Sequence, residues 1–224
     1  MRARLLAVLL GLLCATALVS CGDDSGTSAD SGGSSGGGDA SATCQYPSDG
    51  GEPAKDVEPP PGEPTADGEV QVTISTSAGD VGATLDADAV PCTVNSFLSL
   101  ADQGYYDDTE CHRLTTQGIF VLQCGDPTGS GAGGPGYSFP DELEGDESYP
   151  AGTLAMANAG PDTNGSQFFM VYDDTQLPAA YTVFGTIDDA GLKVLGDVAA
   201  KGTANGSPDG PPKEQVQIQS VTVD

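Results

Sequence analysis

The 224 residues include no tryptophan, one histidine (His112), and only 7 lysines and arginines against 33 aspartates and glutamates, a formal charge of −26. So few cations argue against a surface for phosphate: the chain repels nucleic acid and anionic lipid, and neither is expected to bind it directly. One histidine and no CxxC pair give zinc no ligand set. The pairs Asp107-Asp108, Asp173-Asp174 and Asp188-Asp189 lack EF-hand spacing, so no metal is expected. A hydrolase triad would have to use His112, and no GxSxG turn stands between a strand pattern and a helix pattern. The carboxylate excess reads as a device for solubility.

Long apolar runs are missing too. The run from Leu5 to Val19 is fifteen residues, short of the roughly 20 that span a bilayer. It follows Arg2 and Arg4 and leads into Leu18-Val19-Ser20-Cys21, which reads as an export signal. Small residues directly before a cysteine resemble the lipobox of bacterial lipoproteins. That implies removal of residues 1–20, lipidation of Cys21, and an extracytoplasmic protein held to the cell membrane by its lipid alone. So acidic a lipoprotein suits a Gram-positive or actinobacterial surface. Without residues 1–20 the charge becomes 5 − 33 = −28.

From Gly22 to Gly38 the chain is almost entirely Gly, Ser, Asp and Ala, and five prolines fall between Pro53 and Pro64. Neither stretch can build a core, so residues 21–68 are expected to form a disordered stalk, coil-like first and polyproline-like later. Fully extended, it could reach on the order of 150 Å.

Regular patterning begins at Val70. Val70, Val72 and Ile74 alternate, pause at Ser77-Ala78-Gly79-Asp80, and resume at Val81, Ala83 and Leu85, which predicts a β-hairpin. Val94, Phe97, Leu98 and Ala101 share one face of a helix over 90–103, with Pro91 in its first turn and Gly104 as its stop. A second helix is expected over about 190–201, with Leu192, Leu195, Val198 and Ala199 inward and Gly202 ending it. The last strand changes phase between Val216/Ile218 and Val221/Val223, predicting a β-bulge near Ser220. Residues 69–224, 156 in number, suffice for one domain, and many short strands with two helices suggest a closed or nearly closed antiparallel barrel.

Two segments carry chemistry. One is Cys111-His112-Arg113-Leu114-Thr115-Thr116-Gln117-Gly118-Ile119-Phe120-Val121-Leu122-Gln123-Cys124-Gly125-Asp126-Pro127; the other runs Met156-Ala157-Asn158-Ala159-Gly160-Pro161-Asp162-Thr163-Asn164-Gly165-Ser166-Gln167-Phe168-Phe169-Met170. Together they resemble the cyclophilins, in a Phe-His-Arg strand followed by Phe-x-x-Gln-Gly-Gly-Asp and a Met-Ala-Asn-Ala-Gly-x-x-Thr-Asn-Gly-Ser-Gln-Phe-Phe block. The resemblance implies a mostly β fold, a closed barrel of eight antiparallel strands capped by two helices. It also implies a monomeric, cofactor-free peptidyl-prolyl cis-trans isomerase acting on proline-containing polypeptides, here exported or cell-surface proteins. The rival reading is a proline-peptide binding or chaperone module of the same fold with little turnover.

By the same resemblance the catalytic group is Arg113, with Phe120 and Gln123. His112, Val121, Ala157, Asn158, Gln167, Phe169, Leu177 and Tyr181 would contact substrate, with Phe120, Phe169 and Leu177 lining the proline pocket. The place of Phe120 rests on counting back from Gln123, because the connection from Leu114 to Ile119 is two residues longer than the family's. Leu177 stands where cyclosporin-sensitive members carry tryptophan, which implies weak cyclosporin binding. Four cysteines other than Cys14 and Cys21 remain, and three pairings are open from sequence. The family's strand arrangement implies Cys111 with Cys124, leaving Cys44 for Cys92. Gly129 to Gly134 fits GxGxxG, but Pro135 follows instead of a helix, so it reads as a loop.

Overall fold

The computed structural model describes residues 43–224. Cys14, Cys21, the apolar run and the Gly-rich half of the expected stalk lie outside the described residues.

The hairpin forms as the alternation requires. β1 (Glu69–Thr76) pairs antiparallel with β2 (Gly79–Asp86) in continuous register from Glu69↔Asp86 to Thr76↔Gly79. Its turn is held by the Thr76 hydroxyl, which donates to the Gly79 carbonyl (2.6 Å) and accepts from the Ala78 N–H (3.1 Å). α1 (Pro91–Asp102) starts at Pro91 and stops before Gly104, whose φ of +66° suits glycine. No residue of its own chain neighbourhood caps it. Instead Glu142 reaches across from a distant loop, accepting the Cys92 and Thr93 N–H groups at 3.0 and 2.8 Å, an anion at the positive end of the helix. α1 buries Leu100 as well as Val94, Phe97 and Ala101, and Leu98 is only half-buried.

After α1 come β3 (Thr109–Glu110), β4 (Arg113–Thr115), β5 (Val121–Cys124), β6 (Thr153–Met156), β7 (Phe168–Val171) and β8 (Val183–Ile187). α2 (Asp189–Ala199) is capped by the Asp188 carboxylate, which accepts the Gly191 N–H at 2.6 Å. It buries Gly191, Leu195 and Val198, while Leu192 and Ala199 stay half-buried. β9 (Asp209–Gly210) and β10 (Gln217–Val223) complete the chain. The expected bulge is present: Ser75 faces Ser220 but Thr76 faces Ile218, leaving Gln219 as the extra residue. Val223 lies beyond the core, 57% exposed.

One antiparallel sheet of ten strands results, in the order β3-β10-β1-β2-β8-β6-β7-β5-β4-β9, rather than a ring of eight. The ladder is broken at Cys111-His112. Before that point the chain pairs with β10, as the strand at one end of the curled sheet, and after it with β5, one strand in from the other end.

Packing follows from the period-two alternation of strands. Phe97 sits at the centre of the main core, with Tyr106, Phe168 and Phe184 rings 5.2 to 5.5 Å away. β5, β6 and β7 are covered on both faces. Leu122, Leu154, Met156, Phe168 and Met170 belong to that core; Val121, Ala155, Phe169 and Val171 belong to a second, smaller cluster on the other face. That outer cluster is where the candidate site lies.

Residues 43–68 are ordered, where a disordered stalk was expected. Cys44 is bonded to Cys92, the expected partner, and buried, and its N–H donates to the Gly62 carbonyl at 2.7 Å. Asn95 donates to the Tyr46 hydroxyl and the Pro61 carbonyl at 3.0 and 2.8 Å, and the Tyr46 ring meets Tyr137 and Phe139 edge-on. A Pro-rich chain with few side chains of its own to bury gains order from backbone partners, an aromatic anchor and a covalent bond. It forms a strap across the domain. The second bridge, Cys111–Cys124, is also formed.

Candidate active site

The outer cluster opens into a cavity of about 170 Å³ lined by Val121, Phe169, Leu177 and Tyr181, with Ile119 beside them. The polar residues Arg113, Gln123 and Asn158 share its wall. Val121 and Gln123 come from β5, Phe169 from β7, Ala157 and Asn158 from the end of β6, and Leu177 and Tyr181 from the loop before β8. That loop is gathered by one hydroxyl: Tyr149 accepts the Ala180 and Tyr181 N–H groups at 3.3 and 3.0 Å, and the Pro178 carbonyl lies 3.1 Å from the same oxygen. The Phe169 and Tyr181 rings meet edge-on at 5.5 Å, which fixes the pocket wall.

The polar rim is a chain of side chains. Arg113 donates from Nε to Asp209 Oδ1 at 2.9 Å, from Nη2 to Asp209 Oδ2 at 2.7 Å and from Nη1 to Gln123 Oε1 at 3.3 Å. Gln123 Nε2 donates to Gln167 Oε1 at 2.9 Å, and Gln167 Nε2 to the Gly133 carbonyl at 3.0 Å. The bond to Asp209 pushes the Arg113 pKa up against the opposing effect of burial, and the bond from Arg113 holds the Asp209 carboxyl below its usual range. Asn158 donates to the Ala180 carbonyl at 2.8 Å and so ties the β6 end to the pocket loop.

Of the residues the sequence pointed to, Arg113, Val121, Gln123, Ala157, Asn158, Phe169, Leu177 and Tyr181 meet at this cavity, and Gln167 stands behind Gln123. Two do not. Phe120 points to the opposite side of its strand, its ring 5.9 Å from Tyr172 and edge-on, and Ile119 takes the pocket position. The cause is parity: with Gln123 and Val121 facing the groove, the next residue on that face is Ile119, and Phe120 must turn away. His112 does not line this cavity; it sits at the break before β4, its ring near Gly131. Both its ring nitrogens are buried without a hydrogen-bond partner among the described residues, and burial, with Arg113 in support and Asp126 opposing, lowers its pKa. Asp209 was not legible at all, lying 96 residues from Arg113.

An apolar slot bordered by an always-charged arginine and by amide side chains is built to take a compact apolar ring on a polypeptide. The comparisons agree with that class. The profile described as cyclophilin type peptidyl-prolyl cis-trans isomerase/CLD matches residues 71–223. The chain belongs to the cyclophilin family. It is 49% identical over 196 residues to a probable peptidyl-prolyl cis-trans isomerase B of Mycobacterium leprae, covering 81% of this chain and 66% of that protein. Against the protein of the same name from Mycobacterium tuberculosis (strain CDC 1551 / Oshkosh), the figures are 50% over 198 residues, 82% and 64%. The chain thus spans a little under two thirds of the length of these relatives. A crystal structure of a Cryptosporidium parvum cyclophilin type peptidyl-prolyl cis-trans isomerase is 32% identical with a TM-score of 0.62, covering 70% of this chain and 98% of that one.

Proposed function

We propose that this protein is a peptidyl-prolyl cis-trans isomerase that accelerates rotation about X-Pro bonds in exported or cell-surface polypeptides. The observation that carries the reading is the Arg113 guanidinium held at the rim of the apolar slot. Amide resonance sets a rotation barrier of about 18–20 kcal/mol. In the twisted state conjugation is lost and the prolyl nitrogen regains a lone pair, so a donor aimed at that nitrogen binds the transition state more strongly than the planar ground state. Three of the five guanidinium N–H groups are engaged by Asp209 and Gln123, which leaves two for substrate. The slot formed by Val121, Phe169 and Leu177 holds the proline ring while the preceding chain turns, and Gln123 and Asn158 border the path of the substrate backbone.

A crystal structure of the Cryptosporidium relative in the presence of the dipeptide ala-pro supports a proline-containing ligand for this chain. Isomer exchange of an X-Pro peptide, followed by NMR, tests the reading. Wild type accelerates exchange and Arg113→Ala loses most of the acceleration. Equal rates for the two proteins would instead favour the binding module. Export and a lipid on Cys21 belong to the same proposal and rest on residues 1–21; a Cys21→Ala variant that still partitions with membranes overturns the anchor.

A further inference from the structure

Beside the proline slot lies a second cavity of about 530 Å³ that shares Gln123, Ala157 and Asn158 with it, so the two form one continuous groove. Its far rim is the segment from Gly133 to Ser138, and the strap is fastened to that rim by backbone bonds. The Asp49 N–H donates to the Gly136 carbonyl at 3.2 Å, the Ser138 N–H to the Pro47 carbonyl at 3.1 Å, and the Ala54 N–H to the Gly134 carbonyl at 2.9 Å. This places Asp49 in the lining of the cavity, where among the described residues it is the one charged side chain. Its Oδ1 accepts the Gly51 N–H at 2.7 Å, which fixes the carboxylate, while Oδ2 has no hydrogen-bond partner among the described residues. The floor carries no compensating cation. Ser166 lies there with its hydroxyl 3.2 Å from the Tyr105 hydroxyl, and Asp126 is buried nearby. Burial, with added repulsion from Asp126 and Asp49, pushes the Tyr105 pKa up to about 12, a sign that both carboxylates bear on this floor.

A polypeptide seated with its proline in the slot runs on into this second cavity. We propose that the strap is part of the substrate groove and that Asp49 selects clients carrying a lysine or arginine a few residues from the proline, on the side that passes the Gly133–Ser138 rim. The occupant is not the chain's own preceding segment: residues 22–42 contain no lysine, arginine or proline and four aspartates. The inference deepens the isomerase reading and rests on it.

The test is isomer exchange on matched peptides in which Lys, Ala or Glu occupies the second or third position from proline, on either side. Wild type is expected to prefer Lys over Glu in kcat/KM by about fivefold on one side only, the scale of one exposed ion pair gained and one repulsion avoided. Asp49→Asn should lose most of that ratio and Asp49→Lys should invert it. Glu52→Gln, the same charge change on the exposed strap outside the cavity, controls for general attraction of cations to an acidic protein and should keep the ratio. Equal rates for Lys and Glu peptides with wild type, an Asp49→Asn variant that keeps the full preference, or a Glu52→Gln variant that loses it would each overturn the proposal. Failure of the isomerase reading looks different, as no acceleration of any peptide. Calorimetric affinities for the same peptides then give the Lys-to-Glu ratio directly.

Discussion

Asp209 holds Arg113 in a two-pronged grip, Oδ1 on Nε and Oδ2 on Nη2, at 2.9 and 2.7 Å. The fork geometry fixes the guanidinium plane, which a single contact to Gln123 could not do. Both side chains remain partly open to water, 39% and 53% exposed, so the pair adds little to stability. Its effect is on direction.

Asp209→Ala is therefore expected to lower kcat/KM by about fivefold, as a loosely held arginine spends less time aimed at the prolyl nitrogen. The thermal midpoint should move little. Peptide exchange rates and a melting curve check this, and a faster variant would mean that Asp209 masks Arg113 instead of aiming it.

Ile119 and Phe120 should separate into different phenotypes. Ile119→Ala removes part of the slot and is expected to cut kcat/KM by about tenfold, equivalent to about 1.4 kcal/mol of lost apolar contact. Phe120→Ala removes the ring packed on Tyr172 and is expected to cost about 1–3 kcal/mol of stability while leaving kcat/KM within about threefold. Denaturant titration beside the exchange assay distinguishes them, and the reverse pattern would restore Phe120 to the pocket.

Burial lowers the His112 pKa in the folded state, with Arg113 adding to the shift and Asp126 opposing it. The unfolded chain then binds a proton near pH 6.5 that the folded one resists. Stability is full above that pH and is lost as pH falls from about 6.5 toward the folded value. His112→Phe should flatten this part of the profile between pH 7 and 5.5, while the depressed carboxyls of Asp209 and Asp126 act only at more acid pH. Chemical denaturation across that range would show it; an unchanged slope would place the dependence elsewhere.

The Cys44–Cys92 bridge closes a separation of 48 residues, for which chain entropy gives a stabilisation of about 4 kcal/mol. A double replacement by alanine is expected to lose about 2–4 kcal/mol in denaturant titration, and to expose Pro47 to Pro61 to protease. A strap as resistant as in wild type would show that its hydrogen bonds suffice alone.

The hairpin, both helices and the bulge were legible because each follows from short-range periodicity: Val70 to Leu85 alternate, and Pro91 and Gly104 bracket one apolar helical face. Most of the site was legible through two motif blocks that fall on β4 to β7. The strap was legible only at its Cys44–Cys92 bridge, which the family's strand arrangement implied; Tyr46 and Asp49 find partners at Asn95 and Gly136, and nothing in their local composition announces that packing. The motif count puts Phe120 at the pocket, whereas the alternation from Gln123 through Val121 leads to Ile119, the residue that lines the cavity. The break at Cys111-His112 leaves no mark in the sequence, because a segment that pairs with β10 and then with β5 carries the same local pattern as one continuous strand.

The strap also orders events in time. β1 and β2 meet across a two-residue turn, so their contacts form with little loop entropy, whereas Pro47 and Asp49 must wait for Ser138 and Gly136, nearly ninety residues later in the chain. The strap lies outside the ladder that closes the sheet, and its contacts are expected to close after the rate-limiting step. Weakening the strap should speed unfolding and leave the folding rate almost unchanged, so that this first-synthesised part of the domain is a late clasp whose contribution is to how long the folded protein lasts.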